Sequence, residues 1–286
     1  MSKGRAPVIT LTTDFGLSDS YVAQMKGVIL SVNPGAVIVD ITHLIPPFDV
    51  RAAASVLNSC YGYFPPFTVH VAVVDPGVGT LRRPIAIAAG GCFFVGPDNG
   101  IFTSVLKRYA GEARAYHLTN TRYFAGSVTA TFHGRDVFAP IAARLSLGFD
   151  TDSPTEPPGV PIDDCLVLED GAPVVEGGVI KGVVTTVDHF GNCITNISGI
   201  TVSGISGGKI KAHRKAPGGI GGLVVRVHSM DNPVEIPFTT CYGESDTRVL
   251  SALINGSGFV ELFVKEGSAA VTFGLRTGDS VYVYPK

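Results

Sequence analysis

Between Val69 and Pro84 the chain reads VHVAVVDPGVGTLRRP. An apolar run, predicted as a buried strand, ends on Asp75, turns through Pro76 and Gly77, and then delivers Arg82 and Arg83. A turn needs only the aspartate, proline and glycine. Two arginines spaced to fold back towards a carboxylate need a further reason. A second group able to do acid–base chemistry lies in TATFHGRDVFAP, where His133, Arg135 and Asp136 stand at the start of a predicted helix. Its plain alternative is a polar lead-in followed by first-turn charges. A third group, VDHFGNCITN, sets Asp188, Asn192 and Asn196 around an aromatic–glycine turn, although Asn and Gly suit tight turns without any function.

The elements that must position these groups alternate in type through the first half. Strands are predicted at PVITLTTDFG, AVIVDIT and TVHVAVVD, and a hairpin at PIAIAAGGCFFVGP, turning through Gly90-Gly91. Between them, DSYVAQMKGVILSVNP carries Val22, Met25, Val28, Ile29 and Val32 at helical spacing. PFDVRAAASVLNSCYGYF is a second helix with Asp49 in its first turn, and GIFTSVLKRY and GRDVFAPIAARLSLG are two more. Val- and Ile-rich strands separated by helices predict an α/β domain with a mainly parallel sheet covered on both faces.

A composition break follows in GFDTDSPTEPPGVPIDD, rich in proline and acids. The division expected is an α/β domain over 1–155, a Pro-rich linker over 156–165 and a domain over 166–286. The last domain is predicted to be all-β, a small barrel, from the short strands in GGVIKGVVTTVDHFGNCITNIS, GLVVRVHSM, VEIPFTTCY, GFVELFVKEG and DSVYVYPK. GGKIKAHRKAPGGIGG is basic and glycine-rich and reads as a solvated hairpin tip.

In an open parallel sheet, ligands bind outside the carboxyl ends of the strands. Three predicted strands end there in acids: Asp14 with Asp19 beyond it, Asp40, and Asp75. Asp40 reads as a turn former or cap. Asp14 and Asp75 differ because each lies in a glycine-containing turn whose backbone can approach a ligand. Neither turn is a P-loop, and the GxGxxG dinucleotide fingerprint is missing.

A net charge of −2 and 16% charged residues point to no nucleic-acid or membrane partner. Five widely spaced cysteines without a CxxC pair read as reduced thiols of a cytoplasmic protein, and the histidines show no metal-ligand spacing. The beginning, MSKGRAPVIT, lacks a signal-peptide core, so a soluble and unprocessed chain is expected.

Taken together and in order, TDFGLSDSYVAQMKG, VVDPGVGTLRRP, GPDNG, FHGRDVFAP, VDHFGNCITN and GSGFVELFVKEGSAA resemble the S-adenosylmethionine (SAM) hydroxide adenosyltransferases. These are SAM hydrolases, related to fluorinases and chlorinases that use halide in place of water. The resemblance runs over residues 8–285. It implies hydrolysis of SAM to adenosine and methionine with no metal and no cofactor, in a homotrimer with sites between subunits. It implies that Asp75, Arg82 and His133 hold the attacking water; the halogenases lack this triad, so its presence favours water over halide. Of the two adjacent arginines, the family spacing selects Arg82. For the substrate, the resemblance matches Asp14 to the ribose hydroxyls, Asp19 and Asp188 to the methionine ammonium, and Asn192, Phe190 and Tyr242 to adenine. Phe48 stands where the fluorinase has a tryptophan. Ser257 falls where the fluorinase has an arginine for the methionine carboxylate, which turns attention to the backbone amides of NGSG. The rival expectations are a halide-using SAM enzyme and a non-catalytic SAM or adenosine sensor.

Overall fold

A computed structural model describes residues 6–148, 157–169, 171–205, 223–227 and 236–285. The chain divides into two compact units, Met1–Leu168 and Glu169–Lys286. The basic stretch 207–222, residues 149–156 and with them the first residue of the expected linker lie outside the described residues.

The first unit holds strands β1 (Val8–Thr13), β2 (Val37–Thr42), β3 (Val69–Val73), β4 (Pro84–Ala89), β5 (Cys92–Pro97), β6 (Arg114–Leu118) and β7 (Gly159–Ile162). Its helices are α1 (Tyr21–Val32), α2 (Val50–Cys60), α3 (Thr103–Arg108) and α4 (Ala139–Ser146). The strands form one sheet in the order β2-β1-β3-β5-β4-β6-β7. Side chains alternate across a strand. In β3, Val69, Val71 and Val73 therefore enter the core built with α1 and α4, whereas Ala72 and the following Val74 enter the one built with α2 and α3. Burial on both faces explains why this strand is an unbroken apolar run rather than an alternating one.

Register decides what emerges at the sheet edge. Thr13 of β1 lies beside Val73 of β3, and Thr12 beside Thr42 of β2. The chain therefore leaves all three parallel strands at one end, where Asp14, the 43–48 loop and Asp75 follow.

The sheet is mixed rather than mainly parallel. The pairs β1–β2, β1–β3 and β3–β5 are parallel, and β4–β5, β4–β6 and β6–β7 are antiparallel. The Gly90-Gly91 turn, with both glycines at positive φ, folds β4 back on β5 as expected, and β6 and β7 then extend the antiparallel side. Gly159–Ile162, inside the stretch predicted as linker, is thus edge strand β7, and the division between units falls after Leu168. Asp49 caps α2 from just outside it, accepting a hydrogen bond from Ala52 N at 2.9 Å.

The second unit contains β8 (Val174–Glu176), β9 (Val179–Val187), β10 (Cys193–Ser198), β11 (Leu223–Val227), β12 (Ile236–Pro237), β13 (Leu250–Ile254), β14 (Phe259–Val264) and β15 (Ser280–Pro285). The order is β12-β11-β15-β9-β10-β14-β13, with β8 beside β9. Among the described residues these strands pair antiparallel throughout. A bridge joins Phe238, just past β12, to Ala252 of β13. Two short helices, α5 (Gly199–Ile205) and α6 (Ala269–Phe273), modify the all-β expectation. Among the described residues no helix is long and apolar enough to cross a membrane.

The first unit buries one histidine completely. The His70 ring stacks on Phe94 at 5.1 Å and its Nδ1 lies 2.9 Å from Thr10 Oγ1. Burial pushes its pKa down to about 4, so the folded protein holds it neutral. The unfolded chain takes up this proton below about pH 6.5, whereas the folded chain resists until about pH 4. Stability is therefore full above pH 6.5 and falls as the pH drops through that window, by at most about 3 kcal/mol from this group. Urea unfolding between pH 7.5 and 4.5 is expected to show this slope, and His70→Phe to flatten it; an equal slope in the variant would refute the assignment.

Candidate active site

The residues after β3 turn back on themselves. Val78 N bonds to Asp75 O at 3.2 Å, and Thr80 bonds to Gly77 O through both its N (3.1 Å) and Oγ1 (2.6 Å). This tight loop returns Arg82 to Asp75. Arg82 Nε donates to Asp75 Oδ1 at 2.9 Å, and Nη2 donates to Asp75 Oδ2, a two-pronged pairing that fixes both planes. The second hydrogen of Nη2 reaches His133 Nδ1 at 3.0 Å. The side chains of Arg82 and Asp75 are 8% and 6% exposed. The guanidinium also lies over the Phe138 ring, 5.4 Å from its centre.

Three of five guanidinium hydrogens are thereby used. Nη1 is buried and has no hydrogen-bond partner among the described residues. The arrangement also assigns the histidine tautomer. Arg82 can only donate, so Nδ1 of His133 accepts and the ring proton sits on Nε2. Burial first, and the neighbouring Arg82 charge second, hold the His133 pKa below its usual value, keeping the ring neutral near pH 7. The group thus combines a paired carboxylate, spare guanidinium donors and a neutral N–H donor, suited to gripping a small oxygen nucleophile.

Arg83 does something else. It reaches Asp98 through Nε at 2.9 Å and Asp164 through Nη1 at 2.7 Å. Asp98 Oδ1 in turn accepts from Leu166 N at 2.8 Å, so Arg83 ties the segment after β7 to the sheet. The adjacent Asn99 donates to Val74 O at 2.8 Å, holding the end of β3. The GPDNG block therefore supports the loop from behind.

His133 opens a π-helical turn, Gly134–Phe138, that runs into α4. Such turns are uncommon and concentrate at functional sites. Asp136, within the turn, accepts from Thr129 N at 2.8 Å and Thr129 Oγ1 at 2.7 Å. Burial alone would raise the Asp136 pKa, but Arg135 and Thr129 hold it below its ordinary value. Phe132 packs edge-on against Phe15 at 5.6 Å and Tyr21 at 5.3 Å, which joins the TDFG loop to the histidine turn. A Cβ on Gly134 would lie 3.3 Å from both Met25 Sδ and the Phe15 ring, so glycine permits this approach.

Asp14 and Phe48 come together at the same sheet edge. Asp14 Oδ2 accepts from Phe48 N at 2.9 Å, Gly16 N donates to His43 O at 2.8 Å, and Ile45 N donates to Thr13 O at 3.3 Å. Phe48 has φ +67°, a strained conformation for an aromatic residue, and is 71% exposed. Asp19 is exposed, with Ser18 Oγ at 3.5 Å. Asp40 pairs with Lys26 at 2.6 Å and His43 at 3.1 Å, an ion-pair role in place of a turn or cap.

In the second unit the Asp188 carboxylate organises its own loop. It accepts from Phe190 N at 2.9 Å, Asn192 N at 2.8 Å and Asn192 Nδ2 at 3.1 Å. Phe190 is left 74% exposed. Asn196 instead braces β9, accepting from Val183 N at 2.8 Å. Tyr242 OH donates to Glu261 Oε1 at 2.7 Å, and its ring meets Phe263 edge-on at 4.8 Å. Ser257 is exposed, and its N donates to Asn255 Oδ1 at 3.0 Å. Gly258 N donates to Asn255 O at 2.9 Å and Asn255 N to Phe259 O at 2.8 Å. Most NGSG amides are thus spent inside their own turn, against the expectation that they bind a carboxylate. Glu261 and Asn255 escaped the sequence reading; the one available signal was a lone acid in the apolar run FVELFV.

These features define a two-unit chain with an enclosed carboxylate–arginine pair and a half-buried histidine beyond the carboxyl end of a parallel strand. Residues 9–153 match the SAM hydroxide adenosyltransferase N-terminal domain, and residues 182–282 match the C-terminal domain. The chain belongs to the SAM hydroxide adenosyltransferase family. It is 42% identical over 279 residues to a Salinispora arenicola protein named (R)-S-adenosyl-L-methionine hydrolase, and 38% identical to one of that name from Salinispora tropica; both alignments cover 97% of each chain. Proteins named fluorinase are more distant, for example 28% identical for that of Nocardia brasiliensis, with 99% of this chain and 98% of that one covered. The crystal structure of an uncharacterized conserved protein from Thermotoga maritima superposes with a TM-score of 0.84 at 35% identity, covering 96% of this chain and 99% of that one.

The site depends on one close backbone approach. Gly79 has φ +77°, and a Cβ there would lie 2.4 Å from Ala130 O, in the segment leading to His133. Gly79→Ala is expected to lower stability by about 1–3 kcal/mol and to cut turnover by separating Arg82 from His133. Thermal unfolding and kcat measured together check this, and a variant with wild-type Tm and kcat would contradict it.

Proposed function

We propose that the protein hydrolyses SAM to adenosine and methionine, with Asp75, Arg82 and His133 holding the attacking water. The observation that carries the reading is the enclosed Asp75–Arg82 pair hydrogen-bonded to the half-buried His133, in a chain of this family. Water oxygen forms a bond to ribose C5′ as the C5′–S bond breaks. Methionine leaves as a neutral thioether, so the leaving group needs no proton. The difficulty lies in the nucleophile, which must lose a proton as it attacks carbon. Asp75 orients the water and takes that proton. The spare Nη1 hydrogens of Arg82 and the Nε2–H of His133 donate to the oxygen and favour its hydroxide character. Alignment of one water in line with the C5′–S bond contributes at best about 7–11 kcal/mol.

Asp14 takes the ribose hydroxyls, which its two carboxylate oxygens suit. Phe48 and Tyr242 offer aromatic faces, Asn192 and Phe190 take the adenine, and Asp19 and Asp188 the methionine ammonium. Ser257 offers its exposed hydroxyl to the methionine carboxylate. The (R) sulfonium epimer, the homotrimer, the cytoplasmic setting and independence from metal belong to the same proposal. So does closure of the second sheet into a small barrel, supported by the Phe238–Ala252 bridge and by Thr239 N donating to Ala252 O at 2.7 Å.

The test is chromatography of SAM incubated with pure protein, with EDTA present and chloride absent. Adenosine and methionine are expected in equal amounts. Asp75→Asn, which keeps the side-chain volume and one oxygen acceptor for Arg82 where alanine keeps neither, is expected to lower kcat by about 10²–10⁴-fold with little change in KM. Wild-type turnover in that variant would sink the mechanism. Product formed only on adding chloride, as 5′-chloro-5′-deoxyadenosine, would establish the halide reading. SAM bound but never consumed would establish the sensor.

The His133 pKa, lowered by burial and Arg82, adds a pH dependence. Protonation of Nδ1 breaks its bond to Arg82, so kcat is expected to fall on the acid side with a midpoint below 6.5. An acid limb unchanged in His133→Asn would assign that limb to another group.

A further inference from the structure

We propose that Glu261 is a positioning residue that couples the adenine end of the substrate site to its methionine end, resting on the SAM reading above. Glu261 lies in the middle of β14, between Ile194 of β10 and Leu253 of β13. It is 4% exposed, in a strand whose other members Val260, Leu262, Phe263 and Val264 are buried and apolar. A carboxylate in such a place is costly unless its oxygens are hydrogen-bonded. Here one oxygen accepts from Tyr242 OH at 2.7 Å and the other from Asn255 Nδ2 at 3.1 Å.

Each donor belongs to a different part of the proposed site. Tyr242 is 48% exposed, so its ring offers a face while its hydroxyl is anchored in the interior. The Phe263 edge contact and the Glu261 bond together fix that ring's orientation. The anchor also accounts for the Tyr242 hydroxyl being pushed up to about 12, by burial and then by the Glu261 carboxylate that its proton serves. Asn255, on the other side, uses Oδ1 to accept from Ser257 N at 3.0 Å and Phe259 N at 3.1 Å. Its Nδ2 bond to Glu261 therefore sets the turn that presents the Ser257 hydroxyl. A single buried carboxylate holds an aromatic face and a polar turn at a set separation. That geometry suits a ligand with a flat base at one end and a zwitterionic amino acid at the other.

The role is one of ordering the binding surface, so it predicts an effect on binding more than on chemistry. Glu261→Gln keeps the side-chain shape but loses the charge and one acceptor. We expect it to raise the SAM KM about tenfold with kcat within about twofold, and to weaken adenosine binding, measured by calorimetry, several-fold. Tyr242→Phe keeps the ring and removes its anchor. Combined with Glu261→Leu, which removes both acceptors, it should raise the adenosine Kd no further than Glu261→Leu alone, because the tyrosine's hydrogen bond is already gone. Asn255→Ser should raise the SAM KM with a smaller effect on adenosine. Unchanged SAM KM and adenosine Kd in Glu261→Gln, or fully multiplicative effects in the double variant, would overturn the proposal. If Glu261→Gln fails to fold, Tyr242→Phe and Asn255→Ser decide alone, and wild-type SAM KM in both would overturn it. Adenosine calorimetry does not need turnover. A wild-type protein that binds adenosine but leaves SAM intact would remove the hydrolase reading, while the calorimetric ratios would still judge the tether.

Discussion

Taking a carboxylate and a guanidinium out of water costs several kcal/mol per ion, and their attraction offsets that only when geometry and remaining hydrogen bonds are good. The Asp75–Arg82 pair lies almost wholly buried, so the first unit must hold it accurately. The surrounding structure meets that demand piece by piece. Parallel strands bring Asp75 to the sheet edge, a tight loop returns Arg82, and Gly79 lets that loop meet the Ala130 backbone. Asp136 and Thr129 brace the segment leading to His133. Leaving Arg82 with buried donors that no described residue accepts makes sense where a reacting oxygen is to be gripped. Stability alone gives no reason for it.

The second unit solves a related problem differently. Asp188 spends its carboxylate on the backbone and side chain of its own loop, and thereby shapes a turn that exposes Phe190. Glu261 lies inside the sheet and spends its oxygens on two exposed features at once. In both cases a buried or half-buried acid converts its need for hydrogen bonds into the placement of groups that face solvent. Asp188 keeps room for the proposed methionine ammonium as well. Its oxygens already accept three hydrogen bonds, and each carboxylate oxygen has lone pairs for more than one donor.

Much of this was legible locally. Helical spacing in α1 gave Val22, Met25 and Ile29 as core, and the Gly90-Gly91 turn marked a hairpin, because periodicity and turn chemistry are carried by neighbouring residues. The ordered motifs identified the family and singled out Asp75, Arg82 and His133. What failed was non-local. Strand direction beyond β5, and the recruitment of residues 159–162 as an edge strand, depend on which distant segments pair, and no short window records that. Arg82 and Arg83 are chemically identical neighbours; the family spacing selected Arg82, but the role of Arg83, turned to Asp98 and Asp164, only the fold decides. The tautomer of His133 and the spending of the NGSG amides were likewise invisible, since each is set by a partner's position rather than by residue type. Residue types and their order determined the family and the chemical inventory. Tertiary structure decided which groups were already satisfied and which were left to act, because hydrogen bonding and burial belong to pairs that the chain brings together only when folded.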